Sequence, residues 1–134
     1  MQALVLIAHG SRREASNQEV INLVSALKQP ASDRYQLVQA GFLELAKPSI
    51  PEAIESCIQS GATSVIVVPY FLAAGRHVVE DIPNIVQPVA EQYPGVGIHI
   101  AEHVGLSKIM IQLILDSADS VYKEAIDPTL TQAG

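Results

Sequence analysis

Residues 3–8 (ALVLIA) and 64–72 (SVIVVPYFL) form nearly unbroken apolar runs rich in β-branched side chains. A strand with one wet face alternates apolar and polar residues; a strand without that alternation is covered on both faces, as central strands of a parallel sheet are. Parallel neighbours cannot be joined by a tight turn, so each pair needs a crossover, usually a helix. The intervening sequence supplies one: residues 14–27 carry Val20, Leu23, Val24 and Leu27 at i, i+3, i+4 and i+7, one buried helix face. Residues 35–41 read as a second strand. Ser49-Ile50-Pro51-Glu52 sets Ser and Glu at capping-box spacing with proline in the first turn, opening a helix that Gly61 stops.

The pattern repeats beyond the second apolar run. Residues 81–93 read as a helix that Pro88 is expected to bend or shorten. Pro94-Gly95 makes a turn, residues 96–101 a fourth strand, and residues 106–122 a last helix expected to turn Ile109, Leu113 and Ile114 inward. The order βαβαβαβα predicts a three-layer α/β fold, a four-stranded parallel sheet flanked by helices. At 134 residues and 49% hydrophobic content the chain has material for one core. We read residues 1–126 as a single domain and 127–134 as a flexible tail.

Composition excludes several classes of function. A formal net charge of −6 and few aromatic residues argue against a nucleic-acid partner, which needs a basic surface or a stacking platform. The single cysteine, Cys57, rules out an intrachain disulfide or a cysteine metal cage and points to a reducing compartment, with the cytoplasm the best fit. Residues 3–8 are too short to span a bilayer and have no signal-peptide flanks, so no membrane role is expected.

In an open parallel sheet ligands bind beyond the carboxyl ends of the strands. Strand one ends in His9-Gly10-Ser11-Arg12, the second is followed by Glu44, the third by Gly75-Arg76-His77 and the fourth by Glu102-His103, so three of the four histidines fall on one edge. A neutral imidazole ligates cobalt, iron, nickel or zinc and also accepts a proton near neutral pH. Gly10 and Gly75 are expected to permit tight loops and close approach of a flat ligand. Arg12, Arg13 and Arg76 offer forked donors suited to carboxylates. Taken singly, a strand-end histidine is more often structural, and Arg12 and Arg13 equally suit a solvated helix start. His99, between Ile98 and Ile100, reads as a residue of the opposite face or the core. Glu52 reads as a cap and Cys57 as a buried, inert thiol.

Four segments in order then resemble a known family, the short single-domain CbiX/SirB-type sirohydrochlorin chelatases. They are Leu6-Ile7-Ala8-His9-Gly10-Ser11-Arg12, Phe42-Leu43-Glu44 with Pro48, Val67-Val68-Pro69-Tyr70-Phe71-Leu72, and Gly75-Arg76-His77-Val78 with Asp81-Ile82-Pro83. The resemblance implies a chelatase-like fold and a lyase that inserts a divalent metal, cobalt or iron, into sirohydrochlorin for cobalamin or siroheme synthesis. It implies His9 and His77 as the paired histidines that ligate the metal substrate and act as catalysts, with Glu44 beside them. Gly10, Ser11, Arg12, Arg13, Gly75 and Arg76 would bind the tetrapyrrole. No organic cofactor or nucleotide is implied, in keeping with the absence of a GxxxxGK[ST] loop. A homodimer is implied as well, standing in for the two-domain chains of longer relatives.

Other readings remain open on the residues themselves: a nickel chelatase, or a carrier that binds metal or tetrapyrrole without turnover. A phosphohistidine enzyme would place arginine directly before the histidine, where this chain has Ala8; a receiver module would place clustered acids after strand one, where it has His9.

Overall fold

The computed structural model describes residues 1–126, the side chains of His77 and residues 123–126 apart; the expected tail, 127–134, lies outside the described residues. The elements run β1 (Gln2–Ala8), α1 (Glu14–Ala31), β2 (Leu37–Phe42), α2 (Ile50–Gln59), β3 (Ser64–Pro69), α3 (Arg76–Gln92), β4 (Gly97–Ile100), a short 3-10 turn (Val104–Leu106) and α4 (Ile109–Ile126). All three strand pairings are parallel, in the order β2-β1-β3-β4. The two apolar runs are thus the two inner strands, as their lack of alternation requires.

The register assigns each side chain to a face. Leu6 and Ala8 of β1 lie beside Ala40 and Phe42 of β2 and form one core layer with Val38 and with Val20 and Val24 of α1. On the other face Ala3, Val5 and Ile7 join Val65 and Val67 of β3 and pack against Ile50, Ala53, Ile54 and Cys57 of α2 and Ile82, Val86 and Val89 of α3. The expected capping box at α2 is present: the Ser49 hydroxyl accepts from the Glu52 N–H, and the Glu52 carboxylate accepts from the Ser49 N–H.

Three expectations need correction. The third strand stops at Pro69, and α3 begins at Arg76, five residues before the helix expected from the sequence. It continues unbroken through Pro83 and Pro88. Each proline deprives the carbonyl four residues earlier of its bond, but Pro83, Pro88, Val79 and Asn84 are all exposed, so water can satisfy the freed carbonyls.

The last helix is the second correction. It forms, but Ile109, Leu113 and Ile114 do not turn inward: they are 75%, 51% and 60% exposed. The third concerns His99, which has no core role: it is exposed on the edge strand and, as the alternation predicts, lies on the face opposite Ile98 and Ile100, the one that carries Ile66, Leu4 and Leu6.

Candidate active site

The strand order reverses at β1: the first crossover leads from β1 outward to β2, and the second returns past β1 to β3. The crevice at such a switch point lies beyond the carboxyl ends of β1 and β3. His9 follows β1 directly.

Glu44 reaches His9 because β1–β2 pairing continues past the strand ends. The Leu43 N–H donates to Ala8 O at 2.9 Å and the Glu44 N–H to His9 O at 3.1 Å. With the backbones held side by side, His9 Nε2 and Glu44 Oε1 stand 3.1 Å apart, both side chains more than half exposed (54% and 56%). Gly10, between the histidine and the helix start, has φ +91°, and a Cβ there would lie 1.8 Å from Glu44 O. Both facts demand glycine. On the other flank of the pair, Leu45 has φ 64°, a conformation costing a β-carbon residue about 1–2 kcal/mol.

A second clamp comes from α1. Asn17 is buried, its Oδ1 accepting from the Ser11 N–H at 2.9 Å and its Nδ2 donating to Ser11 O at 2.8 Å. One side chain therefore satisfies both backbone groups of the residue two beyond His9, and the Ser11 hydroxyl accepts from the Arg13 N–H at 3.0 Å. The His9 loop is fixed from β2 and from α1. A pocket of about 230 Å³ between Ala8, His9, Ser11, Asn17, Tyr70 and Phe71 opens beside it.

The first three turns of α3 complete the rim. A pocket of about 320 Å³ is bounded by His9, Leu43, Glu44, Val78, Asp81 and Ile85. His77 precedes Val78 in the same helix; its side chain lies outside the described residues. The sequence reading did not count Asn17 or Asp81 as site residues. Nothing local marks Asn17, whose role exists only once α1 docks, whereas Asp81 belongs to the fourth resembling segment.

The other expected site residues divide. Ser11 is half-buried under the Asn17 clamp, and Arg12 and Arg13 are exposed at the start of α1. Arg76 pairs with Glu80 on the helix surface, Nε to Oε1 3.1 Å. Gly75 caps α3 with φ −65° and ψ 158°, and a Cβ there would meet nothing within 4 Å, so the chain's own backbone and packing do not require glycine at this position. His103 lines a separate, largely apolar pocket of about 440 Å³ with Phe71, Val79, Ile82, Ile100 and Leu106. Among the described residues no three His, Cys, Asp or Glu side chains gather as a metal cluster, and no helix is long and apolar enough to cross a membrane.

The CbiX family model matches residues 3–121, from the start of β1 almost to the end of α4. The chain belongs to the CbiX family. Among its relatives, this CbiX-family chain is 34% identical to the sirohydrochlorin cobaltochelatase of Sulfolobus acidocaldarius over 89% of its own length and 91% of the relative's. It is also 34% identical to the chloroplastic sirohydrochlorin ferrochelatase of Arabidopsis thaliana, over 84% of this chain and 49% of that one. The solved structure of SirB from Bacillus subtilis with Fe3+ superposes with a TM-score of 0.78 at 30% identity, covering 90% of this chain and 47% of that one. The chain thus spans about half the length of the last two relatives. The solved CbiX and SirB structures share its α/β fold, in keeping with the expected architecture.

Proposed function

We propose that this chain is a sirohydrochlorin chelatase that inserts a divalent metal ion, cobalt or iron, into the macrocycle without ATP. The observation that carries the reading is the His9–Glu44 pair, held at the switch-point edge of a CbiX fold by backbone bonds on both strands. The names of the relatives, cobaltochelatase in one and ferrochelatase in another, support the substrate and both metals.

Insertion must remove two pyrrole protons and give the metal a temporary ligand. With Glu44 ionised, the proton in the 3.1 Å contact sits on Nε2 of His9, leaving Nδ1 as the lone-pair nitrogen. A carboxylate behind an imidazole fixes the ring's tautomer and strengthens it as ligand and base. His9 can then hold the arriving metal or take a pyrrole proton, and His77, on the helix that borders the same pocket, is assigned the partner role. Arg12 and Arg13 are exposed beside this edge and suited to the substrate's carboxylates. The net charge of −6 opposes an anionic ligand only weakly, because remote charges are screened over about 8 Å in physiological salt. The reading places the reaction in the cytoplasm, a reducing compartment where a lone thiol such as Cys57 stays reduced.

We further propose that two copies pair as a homodimer. Support comes from the SirB comparison, in which this chain matches about half of a longer protein; a second copy would stand where that protein has its remaining half.

The test is to mix purified protein with sirohydrochlorin and Co²⁺, Fe²⁺ or Ni²⁺ without ATP and follow the macrocycle's absorbance against a protein-free control. The wild type should accelerate insertion, and His9→Ala and His77→Ala should each lose on the order of 100-fold or more. Binding of the macrocycle without acceleration by any metal would refute catalysis and leave a carrier.

A further inference from the structure

Metal insertion makes three demands on lone pairs. One must hold the arriving metal, and two must accept the pyrrole protons that the metal displaces. An imidazole whose lone pair is on the metal cannot take a proton at the same time, so His9 and His77 meet two of the three demands between them. Glu44 is engaged behind His9, with its Oε1 3.1 Å from Nε2. A further acceptor is needed.

Helix α3 supplies one. Its innermost stripe, Ile82, Val86 and Val89, is buried in the core. Beside it runs a half-buried stripe of Val78, Asp81 and Ile85, which bounds the pocket of about 320 Å³ shared with His9, Leu43 and Glu44. Val78, Ile85 and Leu43 pack against the core. Asp81 is therefore a carboxylate in an otherwise apolar stripe, at a position where helix periodicity and packing would place an apolar residue. A polar side chain on a packed stripe is the informative exception to hydrophobic burial. The nearby acids lie elsewhere: Glu80 pairs with Arg76 on the helix surface, and Glu102 borders the separate pocket of His103. Of the residues that bound the His9 pocket, Glu44 and Asp81 are the acids.

We propose that Asp81 is a catalytic base of insertion, its carboxylate taking one of the two pyrrole protons as the metal enters. This rests on the chelatase reading above. In the step, a pyrrole N–H bond breaks and an O–H bond forms on Asp81, while the nitrogen keeps the electron pair and gives it to the metal. The other proton goes to the histidine that is not holding the metal. One divalent ion thus replaces two protons, and the charge of the macrocycle is unchanged. The metal favours the transfer, because a cation lowers the pKa of the groups bound to it. Asp81 then returns its proton to water, which reaches a half-buried side chain.

Steady-state insertion of Co²⁺ into sirohydrochlorin by the full chain tests this with two variants. Asp81→Asn keeps the size and loses the basicity; Asp81→Ala leaves room for an external carboxylate. Asp81→Asn should lower kcat about 100-fold, while the KM for the macrocycle and the binding of Co²⁺ alone stay within about twofold. Formate should restore Asp81→Ala by about fivefold or more and leave the wild type unaffected. Wild-type kcat in Asp81→Asn overturns the proposal. So does a kcat loss matched by weaker Co²⁺ binding, which makes Asp81 a metal ligand, and so does a loss that formate does not restore, which makes it structural. A wild type that inserts no metal removes the chelatase reading itself, whereas an active wild type beside an equally active Asp81→Asn removes only the role of Asp81.

Discussion

The face of the sheet covered by α1 differs greatly between its two ends. At the β2–β1 end, Val20 and Val24 of α1 close over Leu6, Ala8, Val38, Ala40 and Phe42, and all seven are buried. At the β3–β4 end, Ile66 and Val68 are half-buried, His99 is exposed, and the apolar stripe of α4 lies in solvent. The His9–Glu44 pair stands at the finished end. That pairing has a physical logic: placing His9 Nε2 within hydrogen-bond reach of Glu44 needs both backbones fixed, and rigid surroundings come only where helix, strand and loop are mutually packed. The unfinished end is suited to association, because exposed contiguous apolar surface gains most by burial against another molecule.

The strongest way to break this contrast is a pair of glycine substitutions. Gly10→Ala drives a methyl into Glu44 O at a positive φ, and we expect a loss on the order of 2–4 kcal/mol of stability together with collapse of metal insertion. Gly75→Ala, with open space and an ordinary φ, should change stability by less than about 0.5 kcal/mol. Thermal or urea unfolding of both variants checks the comparison, and equal losses would remove it.

A smaller effect is expected from Asn17→Ala, which leaves the Ser11 N–H and C=O without their partner. Each unsatisfied buried group costs about 1–3 kcal/mol, less where water enters. If the clamp serves the placement of His9, kcat for insertion should fall about tenfold or more while the KM for the macrocycle changes little. A proportional rise in KM with unchanged kcat would make Asn17 a structural residue alone.

The smallest effect lies at the rim of the finished end, in the cap of α2. Hydrogen bonds from the Ser49 backbone and then its hydroxyl group hold the Glu52 carboxyl below its ordinary pKa. A folded-state pKa below the unfolded one means that the contribution is present above the unfolded value and is lost as pH falls through the folded one. Acid below the usual carboxylate range should therefore weaken the helix, and Glu52→Gln should flatten that part of the melting-temperature profile. Ser49→Ala should cost about 1 kcal/mol at neutral pH; the same acid slope in wild type and Glu52→Gln would exclude this carboxyl as its source.

Much of the site was legible before the fold was known. Strand ends in a parallel sheet converge on one edge, so His9 and Glu44 could be assigned to it from their positions after the first and second apolar segments. Their contact could not, since it depends on backbone bonds that continue past β1 and β2. Asn17 was invisible because an asparagine early in a helix carries no periodic signal. Gly75 is the converse case: the chain's own backbone and packing do not require glycine there.

The sequence by itself determined the elements whose cause is local. Unbroken β-branched runs made β1 and β3 inner strands, spacing made α1, and Ser49 with Glu52 made the start of α2, because propensity, periodicity and capping act over a few residues. Tertiary structure alone decided that α3 runs through two prolines on its wet side, that Gly10 and Gly105 lie against carbonyls from distant segments, and that the α4 stripe does not meet its own sheet. A hydrophobic pattern shows that a face must be covered. Which surface covers it depends on where the chain leaves the preceding strand, and here the Gly105–Phe71 bond carries α4 away from its own core.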